Sequence, residues 1–282
     1  HLTEDGSSYS GAKEDFITGA PLPVTDIIVH PKDGAMYFAI GGRRVQSGLY
    51  RVTYTGKEDT GAVDLTLKVS DARQLRHSLE AFHGSANPKA IETAWPHLNH
   101  EDRFIAWAAR VTLEHQPTAE WADKALAEKE PGRRIPALLA LARVSGVCPT
   151  HRPEEGFTPD PKLRDQILTS LLEMDLASLS DSDQLAYARL TQVTLHRFGN
   201  PDSNLTDQLI ATLDPTFPAS SFELNWLLCE TLAYLQAPNT ASKGMALIAS
   251  AESQEPQMEY ARSLRQLQTG WTPELREQQL NW

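Results

Sequence analysis

The chain has 282 residues, 40% of them hydrophobic and 22% charged, with a net charge of −11. That length holds one large or two modest domains with a real core. The acidic balance argues against nucleic acid or an anionic lipid surface as the default partner, because both need a surplus of Lys and Arg on one face.

No run of about 18 apolar residues occurs, so nothing in the sequence reads as a membrane span. The chain opens on His1 with no initiating Met, no basic stretch and no apolar leader. The expectation is a piece of a longer polypeptide. Cys148 and Cys229 are the only cysteines, too few for a disulfide framework. A bridge between them stands against the simpler reading of Cys229 as a free core thiol on an apolar helix face.

Residues 1–19 are polar and turn-rich. Asp5 to Ser8 reads as a turn, and Glu14 to Thr18 as a short strand. Pro21 and Pro23 lead into the first clear strand, Val24 to His30. In Pro31-Lys32-Asp33-Gly34 the proline presets φ, and the glycine accepts the positive φ that closes a hairpin. Ala35 to Ile40 is a second strand, apolar and aromatic enough for a sheet covered on both faces. Gly41 to Gly48 reads as a loop carrying Arg43 and Arg44, and Leu49 to Tyr54 alternates as a third strand. Three short antiparallel strands make most of one propeller blade, which is not a stable domain alone. The blade takes residues 1–56, and a polar linker takes residues 57–70.

From Asp71 onward the pattern is helical. The expected helices run Asp71 to Phe82, Pro88 to Leu98, His100 to His115, Ala119 to Lys129 (capped by Thr118) and Arg133 to Val144. In the third, Phe104, Trp107, Ala108 and Val111 form an apolar stripe at i, i+3, i+4, i+7. Val147 to Pro161 holds four prolines and one glycine and reads as a long loop. Helices resume at Lys162 to Leu176, Asp183 to Phe198, Ser203 to Leu213, Phe222 to Leu235, Thr240 to Ala251, Pro256 to Gln268 and Thr272 to Trp282. The Phe222 helix is apolar almost all round and reads as buried on most sides. The fold class is therefore mainly α: a HEAT-like α-solenoid over 71–282 preceded by a small antiparallel β segment, with a non-repetitive helical bundle as the alternative.

Several segments resemble a known family: Pro23, Thr25-Asp26, Pro31 to Tyr37, Gly41 to Tyr54, Arg73 to Gly84, Arg103 to Pro117, Glu223 to Pro238 and Leu267 to Arg276. The first of these resemble the closing blade of a sugar-dehydrogenase β-propeller. Together they resemble bacterial haem-binding-domain proteins, or membrane-bound dehydrogenases, in which such a propeller is joined to HEAT-like helices and a C-terminal cytochrome c domain. This chain is similar to the segment between propeller and cytochrome. The resemblance implies a periplasmic or secreted redox protein, with the rest of the propeller and a cytochrome c domain as partners in the parent chain. Pyrroloquinoline quinone and haem c are the cofactors it implies for that parent. None is expected in this segment, which has no CxxCH. The helices then act as connector and scaffold; the alternative is a non-catalytic solenoid that binds another protein.

In a propeller, Thr25 and Asp26 on one loop and Arg43 and Arg44 on another would face the same mouth. The guanidinium pair could grip a carboxylate-rich quinone or an acidic sugar by charge-assisted bonds. The simpler reading has Asp26 paired with an arginine, pinning two loops. His97 with His100 and Cys148 with His151 are two-ligand pairs with no third ligand nearby in sequence, so no metal site is assigned. Trp95, Trp107, Trp121 and Trp226 read as helix packing. GxSxG, HExxH, P-loop and GxGxxG motifs are all missing, no catalytic residue is assigned, and Glu154-Glu155 reads as a solvated loop face.

Overall fold

The chain begins with a hairpin in which β1 (Leu2–Asp5) pairs antiparallel with β2 (Ser8–Gly11), and Gly6 takes φ +56 at the turn. The computed structural model describes residues 2–59, 61, 69–148 and 157–282. Most of the linker between 60 and 68, together with His151, Glu154 and Glu155 of the proline-rich loop, lies outside the described residues. The chain divides into two compact units, 1–70 and 71–282.

The second sheet has three antiparallel strands in the order β3 (Val24–Val29), β4 (Met36–Gly42) and β5 (Val45–Val52). Its first turn works as the residue types require. Gly34 takes φ +67, its N–H donates to His30 O at 2.9 Å, and His30 N–H donates to Ala35 O at 2.9 Å. Three expectations need correction. Glu14 to Thr18 is not a strand; those residues are exposed, with no partner strand to hold an extended geometry. The loop from Gly41 to Gly48 is only a two-residue turn: Gly42 pairs with Val45, so the third strand starts there and ends at Val52. Arg44 closes that turn with φ +66, a position glycine or asparagine usually fills, which hid the hairpin from a reading by residue type. The two faces of the sheet are also not both covered. Ile28 is 61% exposed and Leu49 76% exposed.

The helical unit holds twelve α-helices among the described residues. They are α1 (Asp71–Glu80), α2 (Ala90–Ala94), α3 (Arg103–Glu114), α4 (Ala122–Ala127), α5 (Pro131–Ser145) and α6 (Pro161–Leu172). After them come α7 (Asp181–Phe198), α8 (Ser203–Leu213), α9 (Phe222–Tyr234), α10 (Thr240–Ser250), α11 (Gln254–Leu264) and α12 (Pro273–Asn281). Their ends follow local chemistry. Asp102, Glu130, Asp160, Ser180, Asp202, Ser221 and Thr272 each accept hydrogen bonds from first-turn amides. Gly199 stops α7 at φ +80. Two expected helices are shorter than their patterns suggest. Pro96 turns the end of α2 into a 3-10 turn (Trp95–His97), and Thr118 begins a 3-10 turn rather than capping α4.

Neighbour order follows a simple rule. The odd-numbered helices pack each on the next, from α1 through α11. Each even-numbered helix from α2 to α10 packs on the odd one after it. The shared core runs continuously through Leu79, Ile105, Leu138, Leu168, Leu209 and Leu228, all with no accessible surface. The α9 helix buries Leu224, Leu227, Leu228, Cys229, Leu232 and Ala233, so it is enclosed on most sides. The expected stripe on α3 is out of phase. The buried face is Ile105, Ala108, Ala109, Thr112 and Leu113, while Trp107 is 58% exposed. Apolar residues span a wide arc of this helix, and periodicity alone could not choose between two overlapping stripes.

Candidate functional site

Thr25 and Asp26 sit at the start of β3, where the pairing with β4 slips: Val24 faces Ile40 and Asp26 faces Ala39, leaving Thr25 as a bulge. Thr25 Oγ1 donates to Ala39 O at 3.2 Å, and Asp26 Oδ1 accepts from Ile27 N–H at 2.8 Å. Arg43 and Arg44 form the exposed tip of the β4–β5 turn, at the same end of the sheet. Among the described residues Asp26 makes no ion pair with either arginine, so the loop-pinning pair is not formed.

The tightest polar cluster of the sheet lies at its other end, and the sequence reading missed it. Asp33 accepts from Ala35 N–H (3.0 Å), Tyr37 OH (3.2 Å) and Arg51 Nη2 (3.2 Å), with His30 Nδ1 at 3.1 Å. The Ala35 amide, helped by Arg51 and Tyr37 against some desolvation, holds the Asp33 carboxyl below its ordinary range. All these bonds serve the turn that the Pro-Lys-Asp-Gly motif announces, and the arrangement is structural.

In the helical unit a cleft of about 460 Å³ crosses α7, α9 and α11. From α7 it takes Arg189, Gln192 and His196, at i, i+3 and i+7 on one face; from α9, Glu230; and from α11, Arg262, with Arg265 just past the end of that helix. A polar chain ties the three helices together. Arg189 Nη1 donates to Gln192 Oε1 (3.0 Å), and Gln192 Nε2 donates to Leu227 O and to Glu230 Oε2 (both 3.1 Å). Glu230 Oε1 faces Arg262 Nη2 at 3.8 Å, while Arg262 pairs more closely with Glu259 at 2.9 Å and lies 5.7 Å over the Trp226 ring. Among the described residues Arg189 and Arg265 have no carboxylate partner. The sequence signal was the row Arg189, Gln192, His196, which resembles any solvated helix face until α9 and α11 are placed beside it.

Other reactive groups have structural settings. No disulfide joins Cys148 and Cys229. Burial pushes the Cys229 thiol up to about 12, helped by Glu230 nearby, which makes it a poor nucleophile. The His97 and His100 rings lie 6.0 Å apart, and burial, then His100, lowers the His97 pKa. No group of three potential metal ligands occurs among the described residues. His151, the partner suggested for Cys148, lies outside them. Trp95 and Trp121 pack in the core, whereas Trp107 does not. No described helix is long and apolar enough to cross a membrane. Comparison with protein families, with curated proteins and with solved structures finds no match to this chain.

Proposed function

We propose that this chain is a scaffold: a HEAT-like helical arm joined to a β segment that is completed by further β-structure. One observation carries the reading. The three-stranded sheet presents exposed apolar side chains on both faces, Ile27, Val29 and Tyr50 on one and Ile28 and Leu49 on the other. A sheet with two apolar faces is built to be covered on both sides. The ordered packing of odd-numbered helices supports the HEAT-like form of the arm.

In the narrower form of this proposal the added β-structure is a dehydrogenase-like propeller. The arm then positions a cytochrome c domain in a periplasmic or secreted redox protein, with the quinone and haem held by those other domains. This form rests on the sequence resemblance. The alternative, a solenoid that binds a separate protein, is favoured by the charged cleft across α7, α9 and α11.

Side-chain footprinting tests the scaffold reading. Ile27, Ile28 and Leu49 should label readily in residues 1–282 alone, since all three are exposed. Labelling should drop sharply when the chain is expressed within its complete reading frame, and equal labelling in both would refute the proposal. Cytochrome reduction by that complete protein, with a panel of sugars and added quinone, tests the redox form separately. No turnover there removes the redox role and leaves the scaffold.

A further inference from the structure

We infer that the cleft across α7, α9 and α11 binds an extended acidic peptide segment, with one carboxylate at Arg189 and a second at Arg265. The inference rests on reading the helical unit as a scaffold and names the partner chemistry of its cleft. The charge is the first reason. In a chain of net charge −11 this cleft gathers three arginines against one glutamate. Glu230 and Glu259 both engage Arg262, which leaves Arg189, bonded only to the neutral Gln192 through Nη1, and Arg265 without a carboxylate partner among the described residues. A guanidinium offers a planar fork that matches a carboxylate in a bidentate pair.

The second reason is span. Arg189 lies on α7 and Arg265 directly follows α11; α9 packs on both helices, and adjacent packed helices lie about 8–10 Å apart. The axes of α7 and α11 are therefore roughly 16–20 Å apart. An extended segment rising about 3.3 Å per residue covers that distance in about five to six residues. A cleft of about 460 Å³ that crosses three helices suits such a strand-like occupant. Between the two arginines, the Gln192–Glu230–Arg262 chain fixes the floor. Its carboxylate repels a third acid at the centre, so the preferred segment is acidic at its ends and neutral between them.

Fluorescence anisotropy with the whole chain tests this, using a fluorescein-labelled hexapeptide, Glu-Ser-Gly-Ser-Gly-Glu. Replacing both glutamates by glutamine should weaken binding by about tenfold or more, as should the protein variant Arg189→Gln/Arg265→Gln. Both arginines are exposed, and circular dichroism verifies that the variant keeps its helices. The peptide substitution tests the same contacts on the unaltered protein. Absent binding of the acidic hexapeptide, equal binding of its glutamine form, or an unaffected double variant would each overturn the inference. Citrate binding as tightly as the peptide with the same arginine dependence would also overturn it, in favour of a small-anion site. None of these outcomes bears on labelling of the sheet, which tests the scaffold reading by itself.

Discussion

The two units bury their apolar residues in opposite ways. In the helical unit, isoleucine and leucine side chains sit at zero exposure in one continuous core, from Leu79 through Leu138 to Leu264. In the sheet Phe38 and Ile40 of the central strand are buried, but the outer strands turn the same residue types to solvent: Ile27, Ile28 and Val29 along β3, and Leu49 on β5. Each apolar side chain that leaves water contributes roughly 1.5–3 kcal/mol, so the helical unit carries nearly all the folding free energy and the sheet carries little. The helical unit holds itself together, whereas the sheet keeps unused apolar surface of the kind that marks an interaction face.

The largest test of that contrast is a cavity in the core. Leu138, with no accessible surface, sits on α5 between α3 and α7. Leu138→Ala should cost about 2–5 kcal/mol, read as a lower urea midpoint. A loss under about 1 kcal/mol would mean that the core is looser than its burial indicates.

A second test concerns the polar tie between α5 and α6. Arg134 is only 2% exposed and is held by Ser170 Oγ (3.0 Å from Nε, 2.8 Å from Nη2) and by Glu173 (2.5 Å). Ser170→Ala removes the acceptor of two guanidinium donors in a buried setting and should cost about 1–3 kcal/mol.

The same cluster gives a pH dependence. The hydrogen bond from Arg134, then that from Lys129, holds the Glu173 carboxyl below its ordinary value. Its folded pKa is thus lower than its unfolded one. The stabilisation is complete above the ordinary carboxylate range, near pH ~4.3, and is lost as pH falls through the folded value. In urea titrations from pH 7 downward, Glu173→Gln should flatten the acid limb of stability. An unchanged limb would remove Glu173 from the linkage.

These tests also separate what was legible in the sequence from what was not. Helix starts were, because Asp202 before Ser203 and Ser221 before Phe222 are capping residue types with a local physical role. The Gly34 turn was legible for the same reason. The buried face of α3 was not, because its apolar arc fits two stripes, and only the neighbours α1 and α5 choose Ile105 over Phe104. The Arg43–Arg44 turn was hidden by a non-glycine residue at positive φ. The cleft was hidden because Arg189, Glu230 and Arg262 lie on three helices, and nothing local joins them. Asn225 was missed likewise: its buried amide clasps both Ala219 N–H and Ala219 O, at 2.6 and 2.9 Å, a contact set by the chain's path before α9.

A smaller effect is expected where the stabilising group is local and surface-facing. Asp202 Oδ1 accepts from Leu205 N–H at 2.9 Å at the start of α8. Asp202→Ala should cost about 1 kcal/mol. Because α8 packs on α6 and α9, the loss should appear in the global unfolding transition. A separate early transition would show that α8 opens by itself and that the core is less continuous than its contacts suggest.

The smallest effect is the one that most sharpens the contrast between the units. Ile28 and Leu49 belong to the same face of the sheet, on β3 and β5, and each keeps more than half its surface in solvent. The double variant Ile28→Thr/Leu49→Thr places a β-branched residue at both positions, so strand propensity is kept or raised while apolar surface is removed. In residues 1–282 the change should alter stability by no more than about 0.5 kcal/mol, as for ordinary surface positions. It should also lower the binding of a hydrophobic dye, because two members of an exposed apolar face are gone. In the complete reading frame the same substitutions should destabilise, since those side chains would then be covered. A large loss in residues 1–282 alone would mean that the sheet already uses this face, and the proposed completion by further β-structure would lose its basis.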